Sequence, residues 1–182
     1  MTAPFRTLAA ATAVALTAVA AQANPMVGGA PMYASKNIIQ NAVNSKDHTT
    51  LVAAVKAAGL VKTLEGKGPF TVFAPTNEAF AKLPKGTVQT LLKPENKAKL
   101  QKILTCHVLA GKETVADIEK VAMQTGEATL NTLGGCKLTA FEKDGKLMIR
   151  DENGDTAMVT IPDVMQSNGV IQVINTVMLP KS

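Results

Sequence analysis

Near Thr125 the apolar pattern of this chain changes period, and that change limits the folds open to it. Before it, Ile38, Ile39, Ala42 and Val43 have the spacing of one helical stripe, and Leu51, Val52, Val55 and Ala58 that of a second. Thr49 or Thr50 is expected to cap the second helix, and Gly59 to close it. After it, apolar residues alternate in Ala128-Leu130, Cys136-Leu138-Ala140, Leu147-Ile149, Ala157-Val159-Ile161 and Val170 to Val177. Period two is the mark of half-buried strands. Asp144-Gly145, Asn153-Gly154 and Asn168-Gly169 supply the dipeptides that tight hairpin turns favour.

Between these regions, Phe70 to Ala74 is a short strand signal, introduced by Gly68-Pro69 and stopped by Pro75. Thr76 is placed to cap a helix from Asn77, with Glu78 in its first turn. Further helical pieces fit Thr87 to Lys93 and Pro94 to Thr105, the second burying Leu100, Ile103 and Leu104. Helices first and strands second predict an α+β domain, an antiparallel sheet system flanked by helices of the amino-terminal half.

The amino terminus reads differently. Arg6 precedes an apolar run of 13 residues, Leu8 to Ala20, and then Ala21-Gln22-Ala23, a small-x-small site. That is the layout of a secretory signal peptide, expected to be cleaved after Ala23, and the run is too short to span a membrane. Neither a lipid-accepting cysteine nor a twin arginine accompanies it. Residues 24–34, rich in Gly, Pro and Met, read as a flexible leader, and 35–182 as one domain. The mature protein is expected in the periplasm or outside the cell, without membrane insertion.

Composition then narrows the chemistry. Cleavage would leave 159 residues with a mild formal charge of +4. Lys93, Lys97, Lys99 and Lys102 read as the solvated face of one helical region. Aromatic residues make up 3% of the chain, with no tryptophan, so no base-stacking platform is available and nucleic acid is not an expected partner. The two cysteines, Cys106 and Cys136, are expected to form a disulfide in an oxidising compartment.

Cys106-His107 resembles an activated thiol, but neighbours along a strand point to opposite faces, so His107 is read as a partly buried residue bonded to backbone. Asp151 to Asp155 begins like a calcium loop yet lacks glycine at its sixth position and glutamate at its twelfth, and is read as a hairpin turn. No nucleophile elbow, zinc helix or phosphate loop is present, so no catalytic residue, metal or cofactor is assigned.

Two segments carry a family resemblance: Gly68-Pro69-Phe70-Thr71-Val72-Phe73-Ala74-Pro75-Thr76-Asn77-Glu78-Ala79-Phe80, and Gly169-Val170-Ile171-Gln172-Val173-Ile174-Asn175-Thr176-Val177-Met178-Leu179-Pro180. They resemble the two signature motifs of the fasciclin domain. Ile103 to Leu109 is similar to the tyrosine-histidine segment that stands between them, and Asp47 to Leu64 resembles the family's helical opening. Three positions depart: Cys106 replaces the usual tyrosine, Gln172 a common histidine and Asn175 a common aspartate.

The resemblance implies a wedge of strands flanked by helices, without catalytic residues, serving adhesion or matrix contact. It implies an unidentified surface protein or polysaccharide as partner, and a monomer is expected. The motif residues Phe70, Thr71, Val72, Phe73, Ala74, Pro75, Thr76, Asn77, His107, Gly169, Val170, Ile171, Val173, Ile174 and Asn175 are read as structural, core formers and caps. A carrier of small ligands or lipids in the periplasm is the alternative function.

Overall fold

The computed structural model describes residues 24–181; the segment 1–23, with its expected cleavage point, lies outside the described residues. In chain order the elements are β1 (Met26–Val27), β2 (Ala30–Pro31), α1 (Ile38–Ala42), α2 (Thr49–Ala58), α3 (Val61–Leu64) and β3 (Phe70–Pro75). There follow α4 (Asn77–Ala81), α5 (Thr87–Leu91), α6 (Lys97–Thr105), β4 (Val108–Ala110) and α7 (Val115–Thr125). The carboxy-terminal strands are β5 (Ala128–Asn131), β6 (Lys137–Lys143), β7 (Lys146–Arg150), β8 (Thr156–Gln166) and β9 (Gly169–Ile174).

Strands β3 to β9 form one sheet in the order β4-β3-β9-β8-β7-β6-β5. It is not wholly antiparallel as expected: β3 and β9 run parallel, with Phe70 opposite Gly169 and Pro75 opposite Ile174. A parallel neighbour needs a long crossover, and the helices and strands between the two segments supply it. The sheet rolls until its edges meet, through a bridge between Leu109 and Thr132 and a bond from Leu133 N–H to the Val108 carbonyl at 2.8 Å. The result is a near-barrel with α1 to α6 on one side and α7 packed against the rolled strands.

The central pair divides two cores. Val72, Ala74, Ile171 and Val173 face the first, filled from the helices by Leu51, Val55, Phe80, Leu100, Ile103 and Leu104. Phe73 and Ile174 point the other way into the rolled sheet, against Ile118, Leu138, Ile149 and Val159. Burial on both faces explains why the two signature segments are apolar runs broken only by the buried Thr71 and Gln172 rather than alternating patterns. A side chain at Gly169 would collide with the Phe70 carbonyl, so the close approach of the strands requires glycine there.

Local signals explain most boundaries. Asp144 and Gly145 take φ of 53° and 71°, the left-handed pair that a two-residue hairpin needs between β6 and β7. Gly59 ends α2 at φ 71°. Three expectations are corrected. Residues 24–34 are no flexible leader: β1 and β2 form a hairpin whose Val27, together with the following Met32, is buried in the first core. Pro94 opens a separate 3-10 turn, Pro94–Asn96, before α6, and α5 ends at Leu91. The turn between β8 and β9 is Ser167-Asn168, with Gly169 already in strand.

Candidate functional site

The polar side chains of the first signature segment are used inside the fold. Thr71 is fully buried; its hydroxyl donates to the Gly111 carbonyl and accepts from Glu113 N–H, both at 2.8 Å, fixing the loop that leads into α7. Thr76 caps α4 by accepting from Ala79 N–H. Asn77 does something sequence spacing does not reveal. Its Oδ1 accepts from Thr50 N–H at 3.0 Å and from the Thr49 hydroxyl, and its Nδ2 donates to the Lys46 carbonyl at 2.8 Å. Asn77 therefore caps α2 from a distance, and neither Thr49 nor Thr50 caps it from within.

The second segment behaves alike. Gln172 is fully buried; its Oε1 accepts from Asp163 N–H and its Nε2 donates to Asp163 Oδ1 and to the Glu113 carbonyl. Asp163 Oδ1 also accepts from Val115 N–H at the start of α7. Asn175 Oδ1 accepts from Met158 N–H at 2.9 Å and its carbonyl from the Lys82 amine, so it finishes the β8-β9 ladder where β9 ends. Beside the motif, Asn168 accepts from Ile38 N–H and donates to the Leu64 and Gly66 carbonyls, joining the β8-β9 turn to α1 and α3.

His107 is completely enclosed, beyond the partial burial expected. Met178 N–H donates to its Nε2 at 3.0 Å, so the ring proton sits on Nδ1, which donates to the Ile103 carbonyl at 2.9 Å. Burial lowers its pKa to about 4, against smaller opposing effects of the Ile103 bond and Asp151. The ring is a neutral strut with both nitrogens engaged. Cys106 is not a strand residue beside it but the C-cap of α6. It is joined to Cys136 by a disulfide with 5.3 Å between Cα atoms. The bond lies where the first and last strands of the sheet meet. Asp151, also buried, accepts from the N–H groups of Asn153, Asp155 and Leu179, organising the turn expected at this position.

Phe70, Val72, Phe73, Ala74, Pro75, Val170, Ile171, Val173 and Ile174 lie in or against the two cores or line the paired strands. The site residues chosen from sequence thus come together as one interior framework, not as a cleft. The most apolar cavity lies beneath α1, α2 and α3, lined by Ile39, Val52, Val55, Val61, Leu104 and Val108, with only about 50 Å³ of enclosed space. Among the described residues no group of three or more metal-ligating side chains converges.

A rolled seven-stranded sheet whose first and last long signature strands pair in parallel, backed by a helical layer, defines the fold class. The family model of the fasciclin domain matches residues 46–180, and the chain belongs to that adhesion-type family. Protein sll1483 of Synechocystis sp. is 50% identical over 155 residues, covering 85% of this chain and 79% of that protein. The cell surface glycolipoprotein MPB83 of Mycobacterium bovis is 32% identical over 199 residues, covering 98% and 83%. Among solved structures, the domain pair of the insect cell adhesion molecule fasciclin I matches with a TM-score of 0.72 at 20% identity. The match covers 79% of this chain and 51% of the pair, so this chain spans about half of it.

Proposed function

We propose that this protein is an exported interaction module that works by adhesion to a surface, matrix or envelope partner, and not by catalysis. The observation that carries the reading is the fate of the signature side chains: Thr71, Asn77 and Gln172 engage every side-chain polar atom in internal bonds, and Thr76 and Asn175 each accept a backbone N–H. A motif used in this way holds a shape, and recognition falls to the surface it displays. The family and the cell-surface relative support the same reading. The neutral, doubly bonded His107 and the disulfide-bonded Cys106 hold no free proton acceptor or thiolate for a reaction.

Export with cleavage after Ala23 belongs to this proposal, and the disulfide suits an oxidising compartment. The carrier alternative is less well supported: ligand pockets usually enclose about 300 Å³ or more within apolar walls, whereas the apolar cavity beneath α1 to α3 holds about 50 Å³ and the larger hollow, of about 420 Å³, is an open groove with Glu119, Lys146 and Thr160 in its lining. Envelope fragments incubated with tagged mature protein test the reading. Capture of a component that excess untagged protein displaces is expected; turnover of any envelope substrate by the purified protein would overturn it.

A further inference from the structure

The two halves of the chain carry opposite net charge. From residue 24 to 105, the part that contributes the helices α1 to α6, eleven lysines stand against four carboxylates; from 106 to 182, seven basic residues stand against ten acidic ones. We infer that the lysine-bearing face of α2, α3 and α6 is a docking surface for an acidic polysaccharide, a hydrated polymer of carboxylated sugars. The inference rests on the interaction reading above and names the partner's chemistry.

Geometry gathers the charges. Gln101 on α6 donates to the Ala58 carbonyl at 2.7 Å, so α6 lies against the end of α2, and the Lys97 amine lies beside Gly59. Lys56, Lys62 and Lys97 are exposed on the elements that meet here, and Lys99 is exposed on the other flank of α6. The salt bridge recorded within α2 to α6 is the long Lys93–Glu95 pair at 4.0 Å, so the cationic face keeps its charge. Exposed charges more than about 8 Å apart are largely screened at physiological salt, so neighbouring lysines on this face set its local field more than the net charge of the whole chain does.

The chemistry of the face selects its partner. All five cations on α2, α3 and α6 are lysines, compact and strongly hydrated point charges, suited to diffuse pairing with a string of carboxylates more than to bidentate grip on one phosphate. Membrane docking by a helix needs large apolar side chains among the cations. The large exposed apolar residues among those described are Met26, Tyr33, Val43, Val121, Met123 and Leu133, none of them on α2 to α6. A second copy of the chain is a poor match, because its acidic half carries an excess of only three carboxylates against an excess of seven cations.

The test uses the purified exported protein with polygalacturonate as probe, neutral dextran as control, and vesicles of phosphatidylglycerol as a second anionic surface. Retention on polygalacturonate is expected, weakening roughly tenfold or more between about 20 and about 150 mM salt. The combined variant Lys56→Gln, Lys62→Gln and Lys97→Gln should lose roughly tenfold in affinity while melting as the parent does. A charge-matched variant, Lys120→Gln, Lys137→Gln and Lys143→Gln, should stay within about twofold. Equal losses in the two variants would mean net charge alone and overturn the inference, as would preference for vesicles or dextran. Absence of binding to polygalacturonate would also overturn it, while displacement of an envelope component in the capture experiment would still stand for the broader reading.

Discussion

The side chain of Gln172 grips Asp163 at both ends, accepting from its backbone N–H at 2.9 Å and donating to its carboxylate at 2.8 Å. The grip sits at the irregular stretch where β8 shifts register between Ile161 and Val164, with Asp163 held at φ 52°. Because the same carboxylate accepts from Val115 N–H, one buried amide links β9, the bulge of β8 and the start of α7. Gln172→Ala should cost about 2 to 3 kcal/mol, through a small cavity and unpaired polar groups. Urea unfolding checks it, and a loss below about 0.5 kcal/mol would contradict the linking role.

Asn77 should behave as the missing cap of α2. Asn77→Ala is expected to lower stability by about 1 kcal/mol, and Asn77→Asp to recover much of it, since the acceptor oxygen serves Thr50 N–H. Amide hydrogen exchange localises the effect. Faster exchange in the first turn of α2 is the expected outcome; a change confined to α4 would mean that the cap is not what the substitution removes.

His107 makes stability depend on pH in a definite direction. Its pKa is held near 4 in the fold and is about 6.5 in the unfolded chain, so the folded state prefers the neutral ring. The contribution is complete above pH 6.5 and is lost as pH falls from about 6.5 to about 4, by about 3 kcal/mol. Burial lowers the pKa of His48 as well, which acts with the same sign. Unfolding of the parent and of His107→Gln, compared near pH 7 and near pH 4, separates this from carboxylate titration. The parent should lose more; parallel losses would contradict the assignment.

The Cys106–Cys136 bond closes a loop with a sequence separation of 30, worth about 3.6 kcal/mol by loop entropy. Reduction should therefore lower the melting temperature clearly. It should also loosen the junction of the sheet edges, seen as faster amide exchange at Leu133, whose N–H bonds to Val108 there. Unchanged melting after complete reduction would contradict this.

Much of the fold was legible because local chemistry and burial agree. Alternation placed β5 to β9, Asp144-Gly145 the β6-β7 hairpin, Gly59 the end of α2, and Thr76 the cap of α4. Helix α7 carries only a faint signal in the sequence, a Thr114–Asp117 capping box and a buried stripe of just Ile118 and Ala122. The packing of Val27 and Met32 had no local signature, because two apolar residues in a Gly-rich segment are ordered only by the core they meet. Long-range partners such as Asn77 with Thr50, or Gln172 with Asp163, have no periodicity to announce them. The charge division between the halves was written in the sequence, but it became a surface only once the helices were packed together.

The central claim, that the signature residues build a scaffold and the surface does the binding, is tested most directly by measuring retention on envelope fragments beside thermal melting. Phe73, wholly buried in the second core, is the residue to change. Phe73→Ala should cost about 3 to 5 kcal/mol, lowering the melting temperature while leaving retention unchanged at temperatures where the variant is folded. A folded Phe73→Ala protein that melts like the parent but is no longer retained would contradict the account.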